Sequence, residues 1–284
     1  MAISIRLNGH SGCSIEVINE LNNTVVRKIS SSYDYNDRLI KQCEKQKTIE
    51  INGIKSTSVK SSGYVKGLFY FDMDYVVGTT LSEYMKTIEL SEISDLVDKL
   101  LSHIVITSYD PDAKKIFMQK MDSVTEDITR KQLATEYPEL KDAITQADEI
   151  LSKYQWSYLN QSDCHGDYTL ENLLITNAGE IFAIDFLDSF YDTWQIDVAK
   201  LLQDIELGWS YRFSGIDENL RMRLIIMKKC IMTRLESFKD GKKLIDSIYH
   251  VLLLNVLRIV PYTHDSFTMK HLLWNIKYLC NKMS

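Results

Sequence analysis

The residues of this 284-residue chain best suited to act together are His165-Gly-Asp167, Asn172, and Asp185 within Ile184-Asp-Phe186. Moving a phosphoryl group from a nucleotide needs little covalent chemistry. It needs a carboxylate beside the attacking hydroxyl and oxygen ligands that hold a metal ion on the phosphates. In that scheme Asp167 orients and deprotonates the hydroxyl. Asn172 and Asp185 hold magnesium, a hard cation that favours oxygen donors. Singly, these residues say little, since isolated aspartates usually sit in turns or caps. The complete set at these intervals, with a hairpin between the two metal ligands, points to magnesium-ATP phosphotransfer.

Such a site has to be positioned by elements that the sequence also outlines. Up to about residue 75 the chain reads as strands and turns: Ser4–Leu7, Ser14–Ile18, Thr24–Ile29, Thr57–Ser61 and Gly67–Tyr75. One helix, Tyr35–Ile49, interrupts them, with Leu39, Ile40 and Cys43 on one face. After Gly78 the pattern turns helical. Leu90, Ile93, Leu96, Val97, Leu100, Leu101 and Ile104 form an amphipathic stripe, Leu140–Tyr154 is similar, and the chain from Thr193 onward is mostly helix-like. Leu173–Thr176 and Ile181–Asp185, joined by Asn177-Ala-Gly179, read as a short hairpin. The expected fold class is α+β: a small β-rich N-terminal lobe over residues 1–77, then a larger, mainly helical lobe over 78–284.

His165-Gly-Asp-Tyr-Thr-Leu-Glu-Asn172-Leu-Leu resembles the catalytic loop of the aminoglycoside phosphotransferase and choline kinase family, which is related to the protein-kinase pattern. The resemblance implies a two-lobed, protein-kinase-like fold, with Asp167 catalytic and Asn172 and Asp185 on the metal. It also implies a phosphate-covering loop at Gly9–Ser14, represented by Ser11 and Gly12, where small residues let backbone N–H groups approach the phosphates. Lys28 stands where the family's strand lysine meets the α- and β-phosphates, and Glu44 on the next helix is expected to pair with it. Arg27 competes with Lys28, because neighbouring strand residues face opposite sides. Phe71–Gly78 resembles the hinge, with adenine expected against backbone groups near Asp74 and Val76. Backbone contacts of that kind do not separate ATP from GTP. Asp197 matches a later family aspartate and is expected to brace the catalytic loop.

The implied partner is a small-molecule alcohol: a sugar, an amino alcohol such as choline, or an aminoglycoside. The last residues, Tyr278–Ser284, lack the acidic side chains that antibiotic-modifying relatives use there, which puts a sugar or amino alcohol on a par with an antibiotic as the expected acceptor. A non-catalytic nucleotide-binding module is the alternative of a different class. A protein kinase is disfavoured by Gly166, where those enzymes carry Arg, and by the lack of an Ala-Pro-Glu segment after Asp185. The formal net charge of -6 argues against nucleic acid as the partner. Five scattered cysteines without a CxxC pair read as reduced thiols. The absence of an apolar leader, and an apolar run at Val251–Val260 too short to span a bilayer, lead to the expectation of a cytoplasmic protein with no membrane partner.

Overall fold

The β-rich N-terminal segment folds as an antiparallel sheet flanked by a single helix. The structure is a computed structural model that describes residues 3–7, 13–20 and 23–284. Strands β1 (Ile3–Leu7), β2 (Cys13–Glu20) and β3 (Asn23–Ser30) form a meander, followed by helix α1 (Asn36–Thr48). After a two-residue strand, β4 (Lys55–Ser56), the hairpin β5 (Val59–Val65) and β6 (Leu68–Asp74) completes the sheet in the order β1-β2-β3-β6-β5. Ser11 and Gly12, the expected phosphate-covering residues, lie outside the described residues.

Register decides which of Arg27 and Lys28 turns inward. Lys28 stands opposite Ile15 and Phe71, while Arg27 stands opposite Glu16 and Asp72. Cross-strand partners share a face and successive residues alternate. Lys28 therefore turns inward and is 2% exposed, whereas Arg27 turns outward and pairs with Asp72 at 2.7 Å. Helix α1 lays Leu39, Gln42, Cys43, Lys45 and Gln46 against the inner side. Leu39 and Cys43 join Cys13, Phe69, Phe71 and Met73 in a small core.

The larger lobe opens with β7 (Thr79–Thr80), α2 (Leu81–Tyr84) and α3 (Ile93–Leu100). The expected stripe buries Ile93, Leu96, Val97 and Leu100, but the helix stops there and the chain turns through Ile104. Next come α4 (Ala113–Arg130), α5 (Leu133–Glu136) and α6 (Glu139–Lys153). The hairpin β8 (Leu173–Ile175) and β9 (Ile181–Ala183) follows, and then α7 (Trp194–Ile205), α8 (Glu218–Glu236), α9 (Gly241–Ile259) and α10 (Ser266–Met283). The hairpin forms a second sheet, β4-β9-β8-β7, in which β4 runs parallel to β9. The chain around β4 thus leaves the small lobe, and Ile51 and Ile54 join the large core.

Two helices form the centre of that core. Every residue of α7 is buried. The stretch Gly241–Tyr262, containing α9, has mean hydropathy 1.5 and the length to cross a membrane, but 78% of its apolar window is buried inside the protein. It is a core helix, longer than the apolar run read from sequence.

Candidate active site

The loop from His165 to Asn172 is held at both ends by one face of α7. Asp197 is fully buried, and its carboxylate accepts the backbone N–H groups of His165 and Gly166, each at 2.8 Å. Asp204 accepts the Leu170 N–H at 2.6 Å and the Ser210 N–H at 3.0 Å. Between them, Lys200 places its ammonium 3.0 Å from the Asp167 carboxylate. Residues three and seven positions apart lie within about one third of a helix circumference, so one helix face supplies all three. Asp197 thus has the bracing role expected of it.

His165 is fixed by its own hydrogen bonds. Its Nδ1 accepts the Asp167 N–H at 3.2 Å, which leaves Nε2 to donate to the Ile184 carbonyl at 2.8 Å. Burial holds the ring's pKa below its ordinary value, so it serves as a neutral strut between the loop and the strand leading to Asp185. Gly166 has φ of +86°, and a Cβ there would lie 2.6 Å from the Leu187 carbonyl. No side chain fits at that position, which accounts physically for the glycine.

Asp167, Asn172 and Asp185 line one cleft of about 1130 Å³. Asn172 donates from Nδ2 to the Asp167 carbonyl at 2.9 Å and to its carboxylate at 3.0 Å. Its Oδ1 has no hydrogen-bond partner among the described residues. Asp185, in left-handed backbone (φ 61°), a conformation Asp tolerates better than most residues, ion-pairs with Lys28 across the lobes. Burial raises the Asp167 pKa, but Lys200, His165 and the Asn172 amide outweigh it and hold the carboxyl below its usual range. Asp167 is therefore ionised at neutral pH.

In the small lobe, Lys28 Nζ donates to Gln42 Oε1 at 3.0 Å as well as to Asp185. Burial alone would lower its pKa, but the Asp185 charge reverses that and leaves it raised. The expected pairing with Glu44 is not formed. Glu44 points to solvent and binds Lys47 at 2.8 Å, because it sits about 200° round the helix from Gln42. The helix partner of Lys28 is thus an amide. Asp74 and Val76 both line the cleft, above an apolar slot made by Ile15, Val26, Met73, Leu174 and Ile184. The Asp74 N–H is taken by the Ser58 carbonyl at 3.1 Å and the Tyr75 N–H by Thr24 at 3.3 Å. The Val76 N–H has no acceptor among the described residues.

The same cleft is also lined from the helical lobe. Lys120, Arg258 and Asn255 line it from α4 and α9, and Gln203, Trp209 and Arg212 from α7 and the turn after it. Gln203 Oε1, Arg212 Nε and Asn255 Nδ2 are buried there without a partner among the described residues. Sequence reasoning missed Gln42, Lys200 and these groups. Gln42 shares the face of Leu39, three positions earlier, and Lys200 follows Asp197 by one turn, so helical spacing could have found both.

A family model described as the phosphotransferase enzyme family (APH) matches residues 55–225, more than half of the chain. A search of curated proteins found no match. Among solved structures, the choline kinase LicA from Streptococcus pneumoniae is similar at TM-score 0.60 and 11% identity, over 99% of this chain and 94% of that one. A thermostable mutant of aminoglycoside phosphotransferase APH(4)-Ia, in a ternary complex with ADP and hygromycin B, gives TM-score 0.59 at 13% identity, over 99% and 92%. The Plasmodium vivax ethanolamine kinase gives 0.57 at 13%, over 98% and 82%. At these identities the likeness speaks for the fold: a small β lobe on a helical lobe.

Proposed function

Because the chain belongs to the phosphotransferase enzyme family and is a small-molecule kinase acting on hydroxyl groups, we propose that it uses magnesium ATP and that Asp167 is its base. The observation that carries this reading is the convergence of Asp167, Asn172, Asp185 and Lys28 on one cleft, although 157 positions separate the last two. Asp167 is ionised and would accept the proton of a bound hydroxyl as its oxygen bonds to the γ-phosphorus, while the bond to the bridging oxygen breaks and ADP leaves. Lys28 exchanges its Asp185 contact for phosphate oxygens when nucleotide enters. The adenine lies in the apolar slot, with the Val76 N–H directed to its ring edge.

The donor set fits magnesium. Asn172 offers an unused amide oxygen and Asp185 a carboxylate that is one-third exposed to the cleft. Among the described residues no group of three His, Cys, Asp or Glu could cage a metal by itself. That suits an ion held by one or two protein oxygens, with phosphates and water completing the shell. Magnesium, when bound, supplies positive charge across the phosphates.

The test is ADP release over a panel of small alcohols, with magnesium and with excess chelator. Asp167→Asn is expected to lower kcat by about 10²- to 10⁴-fold while melting like the wild type. Asp185→Asn is expected to lose magnesium-dependent ATP binding. Full turnover by folded Asp167→Asn would remove Asp167 from the role of base.

A further inference from the structure

Among the described residues, a group of cations without carboxylate partners gathers in the cleft of a chain that is acidic overall. The formal net charge is -6, yet Lys120 on α4, Arg258 on α9 and Arg38 on α1 all line the cleft. Arg258 and Lys120 lie over the same ring: the guanidinium carbon is 4.6 Å and the ammonium 6.0 Å from the Phe190 centroid. Among the described residues no carboxylate oxygen comes within 4.0 Å of Arg38, Lys120 or Arg258.

Six acids among the described residues also line the cleft; Asp74 binds Lys60, and Glu171 acts on Arg212. Asp167 binds Lys200, Asp185 binds Lys28, Asp188 binds Lys41, and Asp127 binds Arg130. Arg258 donates to Asn255 Oδ1 at 3.0 Å, which leaves the buried Asn255 Nδ2 without a partner and beside the guanidinium. Burial brings the Arg258 pKa down to about 10, with Arg38 adding to the effect and Asp167 opposing it. Burial lowers the Lys120 pKa, with Arg258 and Arg38 adding to the effect and Asp127 opposing it. Like charges are thus gathered in a partly desolvated place where water screens them poorly.

We propose that the acceptor alcohol carries an oxyanion, a carboxylate or a phosphate, that docks on Arg258, Lys120 and the Asn255 amide while its hydroxyl faces Asp167. Arg38 lines the same cleft from α1. The inference rests on the phosphotransferase reading above. It specifies a substrate class opposite in charge to choline or an aminoglycoside. The cluster stands on the Asp167 side of the cleft, whereas Lys28 and Asp185 serve the nucleotide. Arginine suits the task because its planar fork matches both carboxylate and phosphate.

The experiment has two readouts on the full chain. The first is ADP release with matched acceptors: glycerol, glycerate, glycerol phosphate and choline, then the corresponding sugars and sugar acids. The second is the thermal shift of the magnesium-ADP-bound protein on adding glycerate or glycerol phosphate, with glycerol as the blank. An anionic member is expected to give the highest kcat/KM. Arg258→Gln and Lys120→Gln are expected to raise its KM about ten- to a hundredfold and to leave the KM for magnesium ATP unchanged. Preference for glycerate or for glycerol phosphate tells carboxylate from phosphate.

Highest turnover on a neutral or cationic acceptor would overturn the proposal and leave the kinase reading standing. So would an equal rise in the KM for magnesium ATP, which would assign the cluster to the nucleotide. A flat turnover screen with an anion-dependent melting shift, abolished in Arg258→Gln, would support the anion site and count against the kinase reading. Flat results in both readouts would overturn the proposal, and binding of magnesium ATP, measured separately, would then decide the kinase reading.

Discussion

Asp167 can accept a proton only while it is ionised, and burial opposes that state. Lys200, 3.0 Å away, is the largest opposing influence, ahead of His165 and the Asn172 amide. Removing it as Lys200→Met should therefore move the acidic limb of the kcat/KM profile upward by about one to three pH units. The wild-type limb should lie below pH 3.8, the ordinary carboxylate value. A limb that stays in place in Lys200→Met would mean that another group keeps Asp167 ionised. The meeting of Asp167, Asn172 and Asp185 in one cleft was legible because their residue types and intervals match what phosphate and metal chemistry would ask for. Lys28 was legible through strand alternation, which left Arg27 as its only rival. Glu44 was misread because a charge pair was expected where the fold uses an amide. Gln42 carries no charge to announce it, and only its helix face marks it. The cations at 120 and 258 come from helices far apart in sequence, and no local pattern links them.

At the scale of elements, α7 fastens the loop from His165 to Asn172, and Asp204 holds the loop's far end at an electrostatic cost. Burial raises the Asp204 pKa to about 7, although two backbone N–H groups and the Ser210 hydroxyl favour the ionised form. In the unfolded chain the group returns to 3.8. Between these values the folded state binds the extra proton, so this group's contribution to stability falls as pH rises from about 4 to about 7 and is level beyond. Denaturant unfolding of wild type and Asp204→Asn across that range should show the difference between them shrinking by up to about 1.4 kcal/mol per pH unit. A difference that is flat with pH would show that Asp204 stays ionised in the fold. The sheet, α1, the hairpin and the helical remainder could be read from periodicity. Two features could not. The short β4 pairs in parallel with β9, a long-range contact that leaves no local mark. Helix α4 buries Phe117, Met121, Val124 and Ile128 at spacings of four, three and four, a signal diluted by the charged residues between them.

The whole molecule works only if its two lobes share one geometry, and α1 is where they are tied. Lys28 from β3 meets Asp185. Along α1, Lys41 and Lys45 stand one turn apart and meet Asp188 at 3.4 Å and Asp192 at 2.6 Å, two acids with the same four-residue spacing. The three contacts differ in weight. Lys41 and Asp188 are both exposed, and such a pair contributes little. Lys45 is buried, with 8% of its side chain exposed, and also donates to Cys164 Sγ at 3.6 Å, next to His165. Its tie therefore reaches the catalytic loop itself. Lys45→Met keeps the shape of the stem and removes the tie, and Asp192 remains half exposed to water. This variant should raise the KM for magnesium ATP about five- to thirtyfold, by the loss of one charge-assisted hydrogen bond, and speed amide exchange along α1. Lys41→Met should leave both within about twofold of wild type. Unchanged exchange in Lys45→Met would show that apolar packing around Ile51 and Ile54 holds the lobes, with the ion pairs only following that packing.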